Sequence, residues 1–468
     1  MPSRFLSWMS DSLLAGGLLL SFETQLRPSG TGVGPGEVCL VAWELPLILS
    51  LFLRRDLVIP RACWEVLRFW TLFALALSLG MITSIVLGEI LDVSLVVHDA
   101  TAYLLLASLT SLMTLSLGST RMARVEWLLV IGGSGSLLLQ ATNTWGWYAL
   151  PNIDPWYWDR VRGWCDNPNQ LALLCLLLAL LALHLAECAA RPGARLFAVT
   201  CGVIAVVYGW FSGSNDYHVV VLIAACMFST VKALRCIVSP KQNVATGILL
   251  ASAAVLVPLS VITPVIDDDL SGRMERIAQS LVRPDVGSDL ALRERLWLEG
   301  MKCGAEAFML GLGPGPHLPI PQIILSDRRF NNEPLYLQHP KPGVAANFET
   351  HNTLIELFVQ SGMLGVASFL WLGAIALSRS FKAGHDGVLT ALCSLAIFGN
   401  SGVIFRFPGV WFVISVALAL DAPWHTKRSP GRSHANSLMY CKSLNMDSIN
   451  AKRIPDVIAA PSARARKV

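Results

Sequence analysis

The sequence predicts an all-α polytopic integral membrane protein, on three observations. Of 468 residues, 54% are hydrophobic and only 15% are Asp, Glu, Lys or Arg. Soluble domains carry about a quarter charged residues, so too few remain here to cover a water-facing surface. Mean hydropathy is +0.55, and at about 20 residues per span the apolar runs consume more than half the chain. The same shortfall of charge excludes a secreted enzyme, a nucleic-acid binder and a disordered hub.

Apolar runs between charged or Pro/Gly breaks give twelve candidate spans, near 11–22, 38–53, 69–87, 101–118, 127–142, 168–188, 196–212, 217–234, 244–263, 353–378, 387–404 and 407–421. The first starts at Asp11 and follows Arg4, but no small-x-small cleavage site comes after it, so it reads as a span rather than a signal-peptide core. With the N-terminus inside, the short inner segments hold fourteen basic residues, from Arg4 to Lys382. The short outer loops hold four: Arg27, Arg160, Arg162 and Arg406. The positive-inside rule then predicts both termini in the cytoplasm. The predicted organisation is nine spans over 1–263, a large outer loop over 264–352, three spans over 353–421 and a basic, disordered cytoplasmic tail over 422–468. Loops as long as 264–352 are uncommon unless functional or disordered; helical patterning around 288–309 with Gly/Pro punctuation after it favours a folded lid. The tail has no apolar period, and its basic residues suit the anionic inner leaflet.

Most cysteines lie in apolar runs, where they act as small hydrophobes. Cys165 and Cys303 fall outside, and spacing does not fix whether they pair. No CxxC or CxxH spacing is present, so no metal site is expected.

Three stretches carry candidate chemistry. The first is Arg160-Val-Arg162-Gly-Trp-Cys165-Asp-Asn167-Pro168-Asn169-Gln170. Asn167 suits an N-cap and Pro168 the first helical position. The helix dipole and free N–H groups would favour an anion there, next to two arginines; a plain capped helix with snorkelling arginines is the alternative. The aromatics of 143–167 read as an interfacial belt. The second stretch is Arg293-x3-Trp297-x13-Gly311-Leu-Gly313-Pro-Gly315. It lacks the Lys-Ser/Thr of a phosphate loop, so the glycines read as a turn after an amphipathic helix. Arg273, Arg276, Arg283, Arg293 and Arg295 make this loop basic, which suits a diphosphate lipid or anionic headgroups. The third stretch is His351-Asn352-x9-Gly362-Met-Leu-Gly365. Thr353 and Glu356 fit a capping box, which puts His351 just above a helix start. Histidine is a base suited to neutral pH, though a histidine there is more often a simple hydrogen-bonding residue. The glycines would let a neighbouring helix approach.

Together the three stretches resemble the O-antigen ligase and polymerase superfamily of bacterial cell-surface glycan assembly. The third matches the family's His-[Asn/Ser/Gln]-x9-Gly-x-x-[Gly/Thr/Tyr] pattern, the second its Arg-x3-Trp and Gly-x-Gly-x-Gly turn, and the first its Gly-x-x-x-Asn-Pro-Asn lead into a span. The resemblance covers roughly 155–420. It implies a GT-C-like membrane glycosyltransferase of the bacterial inner membrane, independent of metal and cofactor. Such an enzyme moves a glycan from undecaprenyl diphosphate to a hydroxyl of a lipid-linked glycan or lipid A core acceptor at the outer face. His351 would take the acceptor proton. Arg293, with Arg162 as a second candidate, would hold the diphosphate; Arg295, Asn352, Asn169 and His218 complete the expected substrate contacts. One departure stands out: the family's Ser-Arg-Gly is replaced by Ser212-Gly-Ser-Asn215-Asp216-Tyr-His218. Asn215 takes the arginine's position and Asp216 would disfavour an anion, so His218, Arg162 or the lid arginines would have to compensate. A twelve-span transporter or flippase of lipid-linked glycans is the competing reading. Such proteins place charges and broken helices near the midplane, whereas here only Glu44 and His184 stand out mid-span.

Overall fold

The structure, a computed structural model, describes residues 2–28, 33–53, 58–89, 92–157, 160–238, 289–321 and 348–420, with the isolated position 252. The predicted span 244–263, much of the loop 264–352 and the tail 422–468 lie outside the described residues. So do Arg273, Arg276 and Arg283.

The described chain is mostly helical. Its α-helices are α1 (Pro2–Leu20), α2 (Pro35–Leu53), α3 (Arg61–Leu87), α4 (Val93–Ser116), α5 (Ser119–Thr144), α6 (Pro168–Cys188), α7 (Pro192–Trp210), α8 (Asn215–Val238), α9 (Asp289–Glu306), α10 (Thr353–Ala383), α11 (Asp386–Phe398) and α12 (Pro408–Ala419). Eight of them are long and apolar enough to cross a membrane: α2 to α8 and α10. A two-stranded hairpin, β1 (Trp156–Tyr157) and β2 (Arg160–Val161), pairs Trp156 with Val161.

Helix α6 is the axis of the bundle. Asn167 caps it, accepting from the Gln170 N–H at 2.9 Å, and Pro168 starts it, as the sequence predicts. Its leucine-rich body is buried on every face, which is what a helix apolar all round requires. A second packing centre joins α3, α4 and α12. Trp411 lies 4.8 Å from Trp70 and 5.2 Å from Phe69, and the Trp70 indole donates to Thr110 Oγ1 at 2.8 Å.

Four helices begin well before their apolar runs. α1 starts at Pro2 rather than Asp11, α3 at Arg61 rather than 69, α4 at Val93 rather than 101 and α5 at Ser119 rather than 127. Hydropathy marks where a helix meets lipid, whereas backbone bonding continues through charged residues that find partners. Asp11 is such a residue. It is fully buried inside α1, 2.6 Å from Arg121 and 2.7 Å from Arg124 of α5. Likewise Glu65 of α3 meets Arg379 of α10 at 2.6 Å, and Asp386 at the start of α11 meets Arg235 of α8 at 2.6 Å. Several bases assigned to inner loops therefore bind helices together.

The aromatic stretch 143–167 is a folded cap more than a belt. Gln25 donates to the carbonyls of Asp154, Gly163 and Cys165 and accepts from the Asp154 N–H. Trp164 donates to Asn143 Oδ1 at 3.2 Å and Trp156 to the Thr144 carbonyl at 3.2 Å. Trp145 and Trp147 remain exposed as a belt would have them. Cys165 is buried, Cys303 half-buried, and both are free.

Candidate functional site

The site is built around a break in α10. At Gly362 the backbone leaves the helix, with φ 61° and ψ −164°, a conformation essentially restricted to glycine. The Val359 and Gln360 carbonyls accept instead from the Leu312 and Gly313 N–H groups, both at 2.8 Å, and the Met363 N–H donates to the Met309 carbonyl at 3.0 Å. The Gly311-x-Gly313-x-Gly315 turn, with φ of 85°, 90° and 117°, thus replaces the missing helical bonds. The sequence assigned Gly362 to helix–helix approach; the structure corrects this, because the approaching partner is the glycine turn. On the far side Gly80 of α3 closes the contact, since a Cβ there would meet the Gly313 nitrogen and the Gln360 carbonyl.

Helix α9 lies on the first turns of α10. Gly300 admits Ile355 and Thr350, and Gly304 admits Phe358. This orientation turns Arg293 toward α8, where its Nη1 meets both carboxylate oxygens of Asp216 at 3.0 and 3.2 Å. The acid expected to disfavour an anion is therefore paired with Arg293. Arg295, two residues on, falls on a different face and is exposed; the structure does not bring it to this group.

His351 precedes α10 with φ 52°, a left-handed conformation uncommon for a residue with a side chain. Its ring is edge-on to Phe348 at 5.4 Å. Desolvation lowers its pKa below the ordinary histidine value; the Glu349 carboxylate opposes that shift and the Arg293 charge reinforces it. Asn352, not Thr353, caps α10, accepting from the Leu354 and Ile355 N–H groups at 3.0 and 3.1 Å; its amide nitrogen donates to the Asn400 carbonyl at 3.0 Å. The expected capping box is therefore displaced. Glu356 accepts from the Thr350 N–H at 2.9 Å, while Thr353 Oγ1 donates to the Gly402 carbonyl and accepts from the Ile404 N–H.

Beneath this turn sits Arg406, from the α11–α12 connection. It lies 2.9 Å from Asp99, 2.5 Å from Glu349 and 3.7 Å from Glu356. Burial would lower its pKa, but Tyr103, Glu349, Asp99 and Glu356 outweigh that and hold the guanidinium charged. Gln360 completes the group, accepting from the Tyr103 hydroxyl at 2.5 Å and donating to Glu356 and to the Gly315 carbonyl. Sequence reading counted Arg406 only as a loop base. The signal available was Asp99 and Glu356, two acids inside apolar helices that need a cation.

The first stretch lies against the starts of α6 and α8. Arg160, rather than Arg162, reaches across, donating to the Ser212 carbonyl at 3.0 Å and to Asn169 Oδ1 at 3.3 Å. Arg162 holds its own loop through the Asp154 and Asp166 carbonyls and the Asp154 carboxylate. His218 stacks on Trp210 at 3.8 Å, with Nε2 3.3 Å from the Trp210 carbonyl.

The arrangement puts the His351 imidazole within electrostatic reach of the Arg293 guanidinium, next to a turn whose Glu349 is held by Arg406. Residues 170–370, from the first turn of α6 to beyond the α10 break, match the family model described as O-antigen ligase. A search of curated proteins gives no match. The matched stretch holds His351, Arg293, the glycine turn and the Gly362 break, and over it the chain is similar to the O-antigen ligase family.

Proposed function

We propose that this protein transfers a glycan from undecaprenyl diphosphate to an acceptor sugar hydroxyl at the outer face of the bacterial inner membrane. The observation that carries this reading is an exposed His351 held in a left-handed turn at the head of α10, with the Arg293 charge close enough to act on its imidazole. A neutral imidazole can take the acceptor's proton at neutral pH. The acceptor oxygen then bonds to the anomeric carbon as the bond to the diphosphate breaks, and the leaving group departs with the electron pair. Positive charge must meet it there. Arg293 suits that task, because Asp216 engages only Nη1 and a guanidinium has five N–H donors.

Asn169 and His218, at the starts of α6 and α8, would line the donor's path. Arg162 and Asn352 would position their segments, and Arg295 would face lipid headgroups. In this reading 244–263 is a further span, 264–352 is a lid outside the membrane, both termini are cytoplasmic, and the bundle is GT-C-like. The transfer itself uses no metal.

The test is the glycan attached to undecaprenyl diphosphate in a strain lacking the protein. Accumulated single repeats identify a polymerase and accumulated long chains a ligase. An unchanged pool overturns both.

A further inference from the structure

Away from His351, at the other end of α6, three metal-binding side chains converge. His184 and Cys188 are four residues apart and so share one face of α6. His385 comes from the α10–α11 turn, set by Gly384 at φ 78°. Gly387 presses that turn against α6: a Cβ there would meet the His184 backbone and Cβ at 2.6–2.9 Å. All three side chains are buried, at 0%, 4% and 7% exposure. A helix of 21 residues puts roughly 30 Å between this cluster and the capped start of α6.

We propose that His184, Cys188 and His385 form a zinc site that staples α6 to the start of α11. One ligand atom from each lies within 4.8 Å of the others. Cys188 Sγ is 3.5 Å from His385 Nδ1 and 3.8 Å from His184 Nδ1. Tetrahedral zinc, with Zn–S near 2.3 Å and Zn–N near 2.0–2.1 Å, holds sulfur and nitrogen ligands about 3.5 Å apart. The cluster is therefore already at coordination spacing, with small side-chain adjustments left. One thiolate and two imidazoles select zinc over magnesium or calcium, which prefer oxygen.

The surroundings fit a divalent cation. Carboxylates flank the His184 ring on both sides, Glu126 at 3.8 Å from Nε2 and Glu187 at 4.0 Å from Nδ1. Whichever nitrogen ligates, a carboxylate lies near the other, one small side-chain shift from the hydrogen bond that orients metal-bound histidines. Lys232 is held by Glu187 and by Asp386 at 2.9 Å, and Arg235 by Asp386. Glu126 or a water would supply the fourth ligand. Burial makes this a structural site rather than one open to substrate.

The test uses the full chain purified in detergent from zinc-supplemented cells. Elemental analysis should find about one zinc per chain, with more than tenfold less in Cys188→Ser and in His385→Gln. Stripped wild-type protein titrated with Co2+ should develop a thiolate-to-cobalt charge-transfer band, which Cys188→Ser lacks. If either variant fails to accumulate, the wild-type metal content and cobalt spectrum decide alone. Wild-type chains without stoichiometric metal that also give no cobalt band would overturn the proposal. The readouts are independent of glycan transfer, so failure here leaves the His351 reading standing.

Discussion

His351 is the residue on which the proposed chemistry turns. Replacing it with Ala should reduce transfer by roughly 10²–10⁴-fold, the range for loss of a positioned base, while membrane insertion and expression stay normal. Transfer assayed on purified lipid-linked donor checks this, and retained activity removes His351 as the base. Because its pKa lies below the ordinary 6.5, the neutral form predominates at pH 7. Activity should then be lost only as pH falls through that lowered value. Glu349 raises the pKa, so Glu349→Gln should move the acid limb of the pH–rate profile to lower pH, and a shift the other way would reject the pairing. Asp216 competes with a diphosphate for Arg293. Freeing Arg293 by Asp216→Asn removes a partly exposed ion pair of about 1 kcal/mol and should lower the donor KM about fivefold; a raised KM would show that the pair positions Arg293 instead.

Among the elements, the α10 break and the glycine turn form one unit. Each supplies the hydrogen bonds the other lacks: the turn donates to Val359 and Gln360, and Met363 donates back to Met309. Gly362→Ala would put a Cβ against the Met309 carbonyl at a backbone conformation that costs about 1–3 kcal/mol for other residues. Its thermal midpoint in detergent should fall clearly below wild type, and an unchanged midpoint would mean that the turn is not held by the break. The pattern Gly311-x-Gly313-x-Gly315 was legible in the sequence as a turn, and His351-Asn352-x9-Gly362 as a helix start followed by glycine. Their mutual contact was not, because about fifty residues separate them and no local periodicity encodes a bond between a loop N–H and a helix carbonyl.

Across the whole molecule, charge pairs join helices that hydropathy treats as separate. Among the described residues Arg406 is the most connected, tying the α11–α12 turn to Asp99 of α4, to Glu349 before α10 and to Glu356 within it. Arg406→Ala would strand two buried acids, Asp99 and Glu356, and release the partly exposed Glu349. Removing one partner of a buried ion pair typically costs ~3–5 kcal/mol, so a large fall in the thermal midpoint is expected, and a stability equal to wild type would show that solvent reaches the cluster. Asp11 with Arg121 and Arg124, and Glu65 with Arg379, act in the same way away from this site.

By itself the sequence determined the membrane class, the helices at α6 and the head of α10, and the three motifs that carry the resemblance to the superfamily. These follow from composition, local capping and short spacing, all of which act within a few residues. Only the tertiary structure decided that Asp216 is paired with Arg293, that Arg406 gathers Asp99, Glu349 and Glu356, that Arg160 rather than Arg162 reaches Ser212 and Asn169, that α10 is broken and repaired by a loop, and that His184, Cys188 and His385 meet. Each depends on side chains far apart in sequence coming together once apolar faces have packed, and burial then makes an unpaired charge too costly to leave without its partner.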